Sequence, residues 1–574
     1  MISISEAQNV FDFLPLFAVM VLMPIVILVS PAMALNQLNV YRVQHFDLHN
    51  NRIGSRHSLM NLEAISVSQI KESFAKKCVI VRLSELLDKM DTFHTIIDQT
   101  LVAGILIILP KTMRSLNGPQ MDAFLTFEKS LVSKEIQIPI YVSHESKQLL
   151  NLYEMQSKRS ETSEEEDIEK SNVRKLYDSV MTNGYQMVIS GPQTSPVKDL
   201  IVTNIQAKLI GAGVEDQMPT IAVVAHYDAF SMAPGLSFGA DSNGSGVVAL
   251  LEMIRLFSKL YSNAKTQPKV NLLFLLSGAG KFNYFGTKKW IDEHLDGNEA
   301  SLLSDSLFTI CLDSLADRDG NSGLNMHVSK PPKEGTPAAQ LFEDLKRIAS
   351  TSLTHPFNVS MIHKKINLAE ETLAWEHERF SIRRLSAFTL SALSSHKSLR
   401  RKSLTDVFDD KLLDPLYLNI NLISEAVAHQ IYKDFESNLF DSDLRISHAF
   451  IKSLLYQLSR QSRAQQLLLS SQKGSQVEVS PLIRSLEQIM RRYVNDVQLI
   501  HIRVDNKDNE LVFYEPTQAE LNIYNVKPAI FDLFVSLAIT IYLAIFFAIV
   551  SNFHHLNSLT KRVVTSNGYN SKFQ

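Results

Sequence analysis

The sequence predicts an α/β protein with a mixed, mostly parallel sheet, a helical C-terminal region and one membrane span at the end. Three observations carry this reading. Short β-rich runs alternate with helical patterns through much of the chain. Gly246–Tyr261 (GVVALLEMIRLFSKLY) repeats its apolar residues at three and four positions, the period of an amphipathic helix. Leu533–Val550 (LFVSLAITIYLAIFFAIV) is an 18-residue run without a charge.

The β-rich runs are Val79–Leu83, Gly104–Leu109, Ile138–Val142, Gln186–Ser190, Thr220–His226, Val270–Leu276, Phe308–Leu312 and Met326–Ser329. Alternation of this kind belongs to sheets whose parallel strands are joined by helices. From about Asp441 to Val497 the pattern turns helical (LRISHAFIKSLLYQL, then PLIRSLEQIMRRYVNDV). The acidic stretch Ser157–Glu169 reads as a solvated helix start or linker. It marks a boundary between a small N-terminal lobe and the main domain.

Composition narrows the classes. The chain has 574 residues, and 57 Lys+Arg nearly cancel 60 Asp+Glu, for a net charge of −3. A nucleic-acid partner is not expected, since displacing phosphate counterions takes a cationic excess. Two cysteines exclude a disulfide-dense or Cys-rich zinc fold. Cys78 and Cys311 lie in apolar runs and read as free buried thiols, with a bridge as the alternative. The mean hydropathy of −0.01 is high for a soluble chain, and the excess sits at the two ends.

Phe13–Leu35 carries no charge, holds three prolines and finishes in the small-x-small pattern Ala32-Met33-Ala34. It reads as a secretory signal peptide. An uncleaved anchor is the alternative, because Glu6 and Asp12 precede the run and no Lys or Arg does. The C-terminal run, extended by Ala529, Ile530 and Phe531, approaches the roughly 20 residues that span a bilayer. Lys561, Arg562 and Lys572 follow it without an acid, which places the tail in the cytosol. The expected organisation is a signal peptide (1–35), an N-terminal lobe (36–170), the main α/β domain (171–436), a helical membrane-proximal region (437–526), a span (529–551) and a tail (552–574). Such a chain is a single-pass type I protein with its bulk lumenal.

The candidate chemistry begins where a strand ends. TIAVVAHYDAF delivers His226 and Asp228 past the strand's carboxyl edge, where open α/β sheets place their ligands. Asp241 follows in the Gly/Ser/Asn loop GADSNGSG that opens the next helix. This combination resembles the co-catalytic di-zinc aminopeptidase family, whose fold is shared with the transferrin receptor ectodomain and nicastrin. The resemblance implies that His226 binds one zinc, that Asp228 orients it and that Asp241 bridges two metals. It also implies a ligand at Asp313 in FTICLDSL and a last one at His396 in AFTLSALSSHKS.

The family's Glu-Glu pair, general base and ligand of the second zinc, is replaced by Gly280 and Lys281 in SGAGKFNYFG. A general base contributes about 10²–10⁴-fold, and glycine offers no proton acceptor. A protonated lysine cannot ligate a dication and repels one. No metal is therefore expected, although one zinc on His226, Asp241 and Asp313 is possible. Lys281 either occupies the second-metal position and pairs with Asp241, or points to solvent beside an empty site.

SGAGKFNYFGTKKW, INLAEETLAWEHERFSIRRLSAFTLS, VYRVQHFDLH and NVKPAIFDLF look like the nicalin family, nicastrin-like membrane proteins of the endoplasmic reticulum. That resemblance implies a catalytically inactive scaffold in the endoplasmic reticulum membrane. Its implied partners are a Nodal modulator-like lumenal protein, a small multipass membrane subunit, and the translocon with its multipass clients. Implied roles are multipass membrane-protein biogenesis and receptor subunit assembly. The alternatives are a membrane-tethered zinc aminopeptidase with an atypical site, and peptide binding in the old cleft.

Other motifs read as structural. Trp375-Glu376-His377-Glu378 lacks the spacing that puts two histidines one helical turn apart, so His377 reads as structural or pocket-lining. Ser391, Ser394 and Ser395 lack a glycine-framed nucleophile elbow. Asn243-Gly244-Ser245 and Asn358-Val359-Ser360 are glycosylation sequons, open to use if the domain is lumenal.

Overall fold

The computed structural model describes residues 34–551 apart from 68–73, 167–183, 214–217, 297–302, 304–305, 317–322, 353–356, 433–438, 442–443, 505–509 and 528. The expected signal peptide and tail therefore lie outside the described residues, but for Ala34 and Leu35.

The centre of the molecule is an eight-stranded sheet. Its spatial order is Asn358–His363, Gly323–Val328, Ala387–Ser391, Ser306–Leu312, Thr220–His226, Asn271–Ser277, Ile201–Leu209 and Asp496–Arg503. Four of its neighbouring pairs are parallel and three antiparallel, so the sheet is mixed and mostly parallel. The strands Thr220–His226 and Asn271–Ser277 are buried at every position, as parallel strands covered on both faces must be. Helix Gly244–Tyr261 packs on one face, and Val247, Leu250, Leu251, Ile254 and Phe257 join the largest apolar cluster. Its N-terminus is capped by the Asn243 side chain, which accepts from the Gly246 N–H at 3.2 Å.

Seven further strands close into a barrel ordered Ala34–Arg42, Gln518–Val526, Gly184–Ile189, Met60–Ser66, Phe74–Arg82, Val102–Leu109 and Ile140–His144. Alternation along the strands sorts two clusters. Cys78, Ile80, Leu106 and Ile108 pack with Leu521 and Ile523. Val79, Val81, Ile105 and Ile107 pack with Phe93, Phe124 and Phe127 of the lobe's helices. Cys78 and Cys311 are both free and buried.

The stretch expected to be helical over 437–526 is only partly so. His448–Leu458 and Pro481–Arg491 are helices, but Asp496–Arg503, Leu511–Glu515 and Gln518–Val526 are strands. Each completes a sheet begun hundreds of residues earlier: Leu499 pairs with Ile205, Phe513 with Phe46, and Leu521 with Leu38. The N-terminal lobe likewise does not end at 170, since it takes in Gly184–Ile189 and Gln518–Val526. Beyond the barrel, Ala529–Ser551 is a helix whose window Phe531–Ala548 has mean hydropathy 2.2. That length and composition suit a membrane span.

Candidate functional site: a buried cluster held by two cations

The carboxyl ends of Thr220–His226, Asn271–Ser277, Ser306–Leu312 and Ala387–Ser391 lie side by side. They bring His226, Asp228, Lys281 and Asp313 into one buried cluster, joined by Asp241 from the loop before the core helix. His226 is fully buried, Asp313 is 1% exposed and Lys281 is 8% exposed. Lys281 therefore does not point to solvent.

Asp228 holds the loop that carries Gly280 and Lys281. Its carboxylate accepts from the Gly280 N–H at 2.7 Å and the Lys281 N–H at 3.0 Å. Burial raises its pKa, against His226 and these two N–H donors. The expected orienter of His226 is therefore occupied with backbone, and the carboxylate on the His226 Nδ1 is Glu376, at 3.3 Å. Glu376 is tied in turn by the hydroxyls of Ser277 (2.9 Å) and Thr287 (2.5 Å). The His226 Nε2 is buried and has no hydrogen-bond partner among the described residues.

Gly280 approaches the histidine so closely that a Cβ there would lie 2.2 Å from the His226 Cβ. Position 280 thus offers no side-chain proton acceptor and has no room for one. Ala279, Asn283 and Tyr284 in the same loop, and Ser314 after Asp313, have φ between 52° and 56°. Non-glycine residues adopt this left-handed conformation only at a cost, and it clusters at functional sites.

Two cations occupy the cluster. The Lys281 ammonium donates to Ser242 Oγ at 2.5 Å. Burial pulls its pKa down to about 8, and the carboxylate that opposes this most is Asp313 rather than the expected Asp241. The second cation was not anticipated. Arg401 places a guanidinium nitrogen on Asp313 Oδ2 and donates to Tyr284 Oη at 3.2 Å, while its other nitrogen reaches the carbonyls of Ala374 and His396. It also lies 4.4 Å above the Trp375 ring. Burial pushes Asp313 up, but Arg401, then Lys281 and His226, carry its pKa well below the usual carboxylate range.

The remaining candidates are accounted for. Asp241 Oδ1 accepts from Ser245 Oγ at 2.8 Å and the Ala316 N–H at 2.9 Å. Asp406, which sequence reasoning missed, accepts from the N–H groups of Asp241 and Ser242 at 2.9 and 2.7 Å. His396 is only half-buried, packs edge-on to Trp375 at 6.5 Å, and offers its carbonyl to Arg401. His377 is buried with its Nδ1 2.9 Å from Thr389 Oγ1, and burial lowers its pKa to about 3. Asn243 is fully buried, and its Nδ2 donates to the carbonyls of His226 and Leu312. A glycan on that nitrogen would displace both bonds, so Asn243 is not a usable sequon in the folded chain. Asn358 is exposed at the start of an edge strand.

This donor set does not fit a di-zinc centre or the single zinc on His226, Asp241 and Asp313. Asp313, a ligand in both sets, is neutralised by the Arg401 guanidinium, and the Lys281 ammonium stands where the resemblance puts a ligand of the second metal. Among the described residues, no three His, Cys, Asp or Glu side chains group so as to hold a metal ion.

Residues 204–362 match Peptidase family M28. The solved structure of the gamma-secretase component nicastrin superposes with TM-score 0.56 at 11% identity, over 86% of this chain and 100% of that one, a likeness of fold. A Danio rerio protein named BOS complex subunit ncln is 40% identical over 562 residues, 94% of each chain. A Caenorhabditis elegans protein named nicalin is 30% identical over 540 residues, 90% of each. Fold and site together define an M28-peptidase-like domain of nicastrin architecture, joined to one apolar C-terminal helix long enough to cross a membrane. Within that class, the chain belongs to the nicalin family.

Proposed function

We propose that this chain is a catalytically inactive, aminopeptidase-like scaffold, anchored in the endoplasmic reticulum membrane as a single-pass type I protein with its bulk lumenal. The observation that carries the reading is the Arg401–Asp313 pair, with Lys281 beside it and Gly280 at the base position. A hydrolase of this family needs a carboxylate base and open metal ligands, and these positions supply neither. The name of the zebrafish relative makes that protein a subunit of a complex, and similarity over nearly the whole length supports the same for this chain. The proposed partners are a Nodal modulator-like lumenal protein, a small multipass membrane subunit and the translocon. The proposed role is in multipass membrane-protein biogenesis and receptor subunit assembly. A peptidase fold that has lost turnover keeps a rigid surface for such contacts.

Hydrolysis of aminoacyl reporter substrates by the purified full-length protein tests the reading. No turnover above that of the His226→Ala variant is expected. Turnover abolished by His226→Ala would instead make the chain an atypical membrane-tethered aminopeptidase.

A further inference from the structure

The central sheet carries a second cavity, at its other end. Opposite the edge that carries His226, the carboxyl ends of Gly323–Val328 and Asn358–His363 meet the start of Ala387–Ser391 around a cavity of about 690 Å³. This is within the range of cavities that hold small ligands or a few side chains. Its mouth carries four exposed cations, Lys330, Lys333, Lys365 and Arg384, and no Asp or Glu lines it. None of the four is ion-paired among the described residues. The floor is apolar, with Val328 3% and Phe388 1% exposed. Ser329 Oγ, also in the lining, is buried without a hydrogen-bond partner among the described residues.

Arg384 adds an independent observation. Helix His377–Ile382 ends with the Arg384 N–H on Ser381 O and the Leu385 N–H on Phe380 O, the paired bonds of a Schellman cap. The cap's left-handed position, φ 62°, normally takes glycine but here holds an arginine, at a backbone cost glycine avoids. Beyond Pro332, the neighbouring cavity is lined by Glu334, Glu343 and Asp344, and the last two pair with Lys346 and Arg347 on their own helix. The positive field at the first cavity is therefore not cancelled by those two acids.

We infer that this cavity docks an acidic peptide segment of a partner protein, its carboxylates on the cationic rim and an apolar side chain on the floor. Unpaired like charges around a concave apolar floor are complementary to such a segment, and rim charges steer and select partners. The inference does not depend on whether the His226 cluster turns over substrate.

The test uses the full-length protein in detergent micelles and fluorescence anisotropy of two labelled, N-acetylated peptides, Glu-Glu-Leu-Glu-Glu and Lys-Lys-Leu-Lys-Lys. Saturable binding of the acidic peptide alone is expected. It should weaken roughly tenfold or more between 0.1 M and 1 M salt, as screening shortens from about 10 to about 3 Å. Lys330→Glu with Lys365→Glu should abolish binding, whereas Lys452→Glu, on a helix elsewhere, should not change it. Arg384→Gly relieves the backbone and should fold at least as well as the parent, yet bind the acidic peptide more weakly. Equal binding of the two peptides, unchanged affinity in the charge-reversed protein, or saturable binding of inorganic phosphate without the peptide would each overturn the inference.

Discussion

Arg401 and Asp313 form a buried ion pair across 88 residues of sequence, the carboxylate 1% and the guanidinium 10% exposed. The pair ties the segment after the last parallel strand to the carboxyl end of the strand Ser306–Leu312. The arginine makes the tie with four acceptors at once: Asp313, Tyr284 Oη and two carbonyls.

Removing one partner of a buried pair leaves the other charge uncompensated, at a cost of about 3–5 kcal/mol. Arg401→Met should therefore lower the unfolding free energy by that order, read by denaturant titration of the purified protein. Arg401→Lys should recover little, because one ammonium cannot replace two guanidinium nitrogens that reach four acceptors. A variant as stable as the parent would show that the pair carries no weight.

Glu128 gives a pH dependence of known sign. It is 1% exposed and accepts from the N–H groups of Met232 and Leu404, joining the lobe helix to two loops of the main domain. Burial raises its pKa to about 7, against the Ser403 hydroxyl and those two N–H groups. The folded state thus holds this proton more tightly than the unfolded chain, whose glutamate titrates near 4.3. Stability from this group is greatest below about 4.3, falls as pH rises towards 7 and is level above. Glu128→Gln removes the dependence, so its stability relative to the parent should improve by about 2–3 kcal/mol between pH 5 and pH 8. Parallel pH profiles for the two proteins would contradict this.

Position 280 carries no side chain and has no room for one. With a Cβ at 280 only 2.2 Å from the His226 Cβ, Gly280→Glu must displace the histidine. Reporter hydrolysis should remain absent in Gly280→Glu combined with Lys281→Glu, and the melting temperature should fall. Restored turnover would mean that only two residues separate this centre from a working one.

The two sequons should behave differently. Asn358→Gln is expected to remove an endoglycosidase-sensitive mobility shift from protein made in the secretory pathway. Asn243→Gln should leave the shift in place while destabilising the fold, because Asn243 caps the core helix and donates to two buried carbonyls. A shift lost only in the Asn243 variant would refute the burial argument.

What the sequence disclosed, and what it withheld, follows from range. Each of the eight β-rich runs overlaps a strand, and Gly246–Tyr261 lies within the helix Gly244–Tyr261, because each is written in local alternation or helical period. His226, Asp228, Asp241, Lys281 and Asp313 were legible because they sit at fixed offsets from strand ends. Strands Asp496–Arg503 and Gln518–Val526 were not, since their partners lie about 300 and 480 residues away. Arg401 sits in the run Leu399-Arg400-Arg401-Lys402, which looks like a solvated basic patch until the fold turns it onto Asp313. Glu376 is adjacent to His377 in sequence, and only the folded geometry shows that Glu376 faces His226 while His377 faces Thr389.

The claim that protein cations have taken the place of metal is tested most directly by the zinc content of the purified full-length protein. The protein would be prepared with zinc supplied throughout and measured by inductively coupled plasma mass spectrometry, alongside the Lys281→Glu, Arg401→Ala double variant. The account predicts well under one zinc per parent chain, with any gain confined to the variant in which the two cations are removed. One or two zinc ions per chain in the parent, lost on His226→Ala, would contradict it.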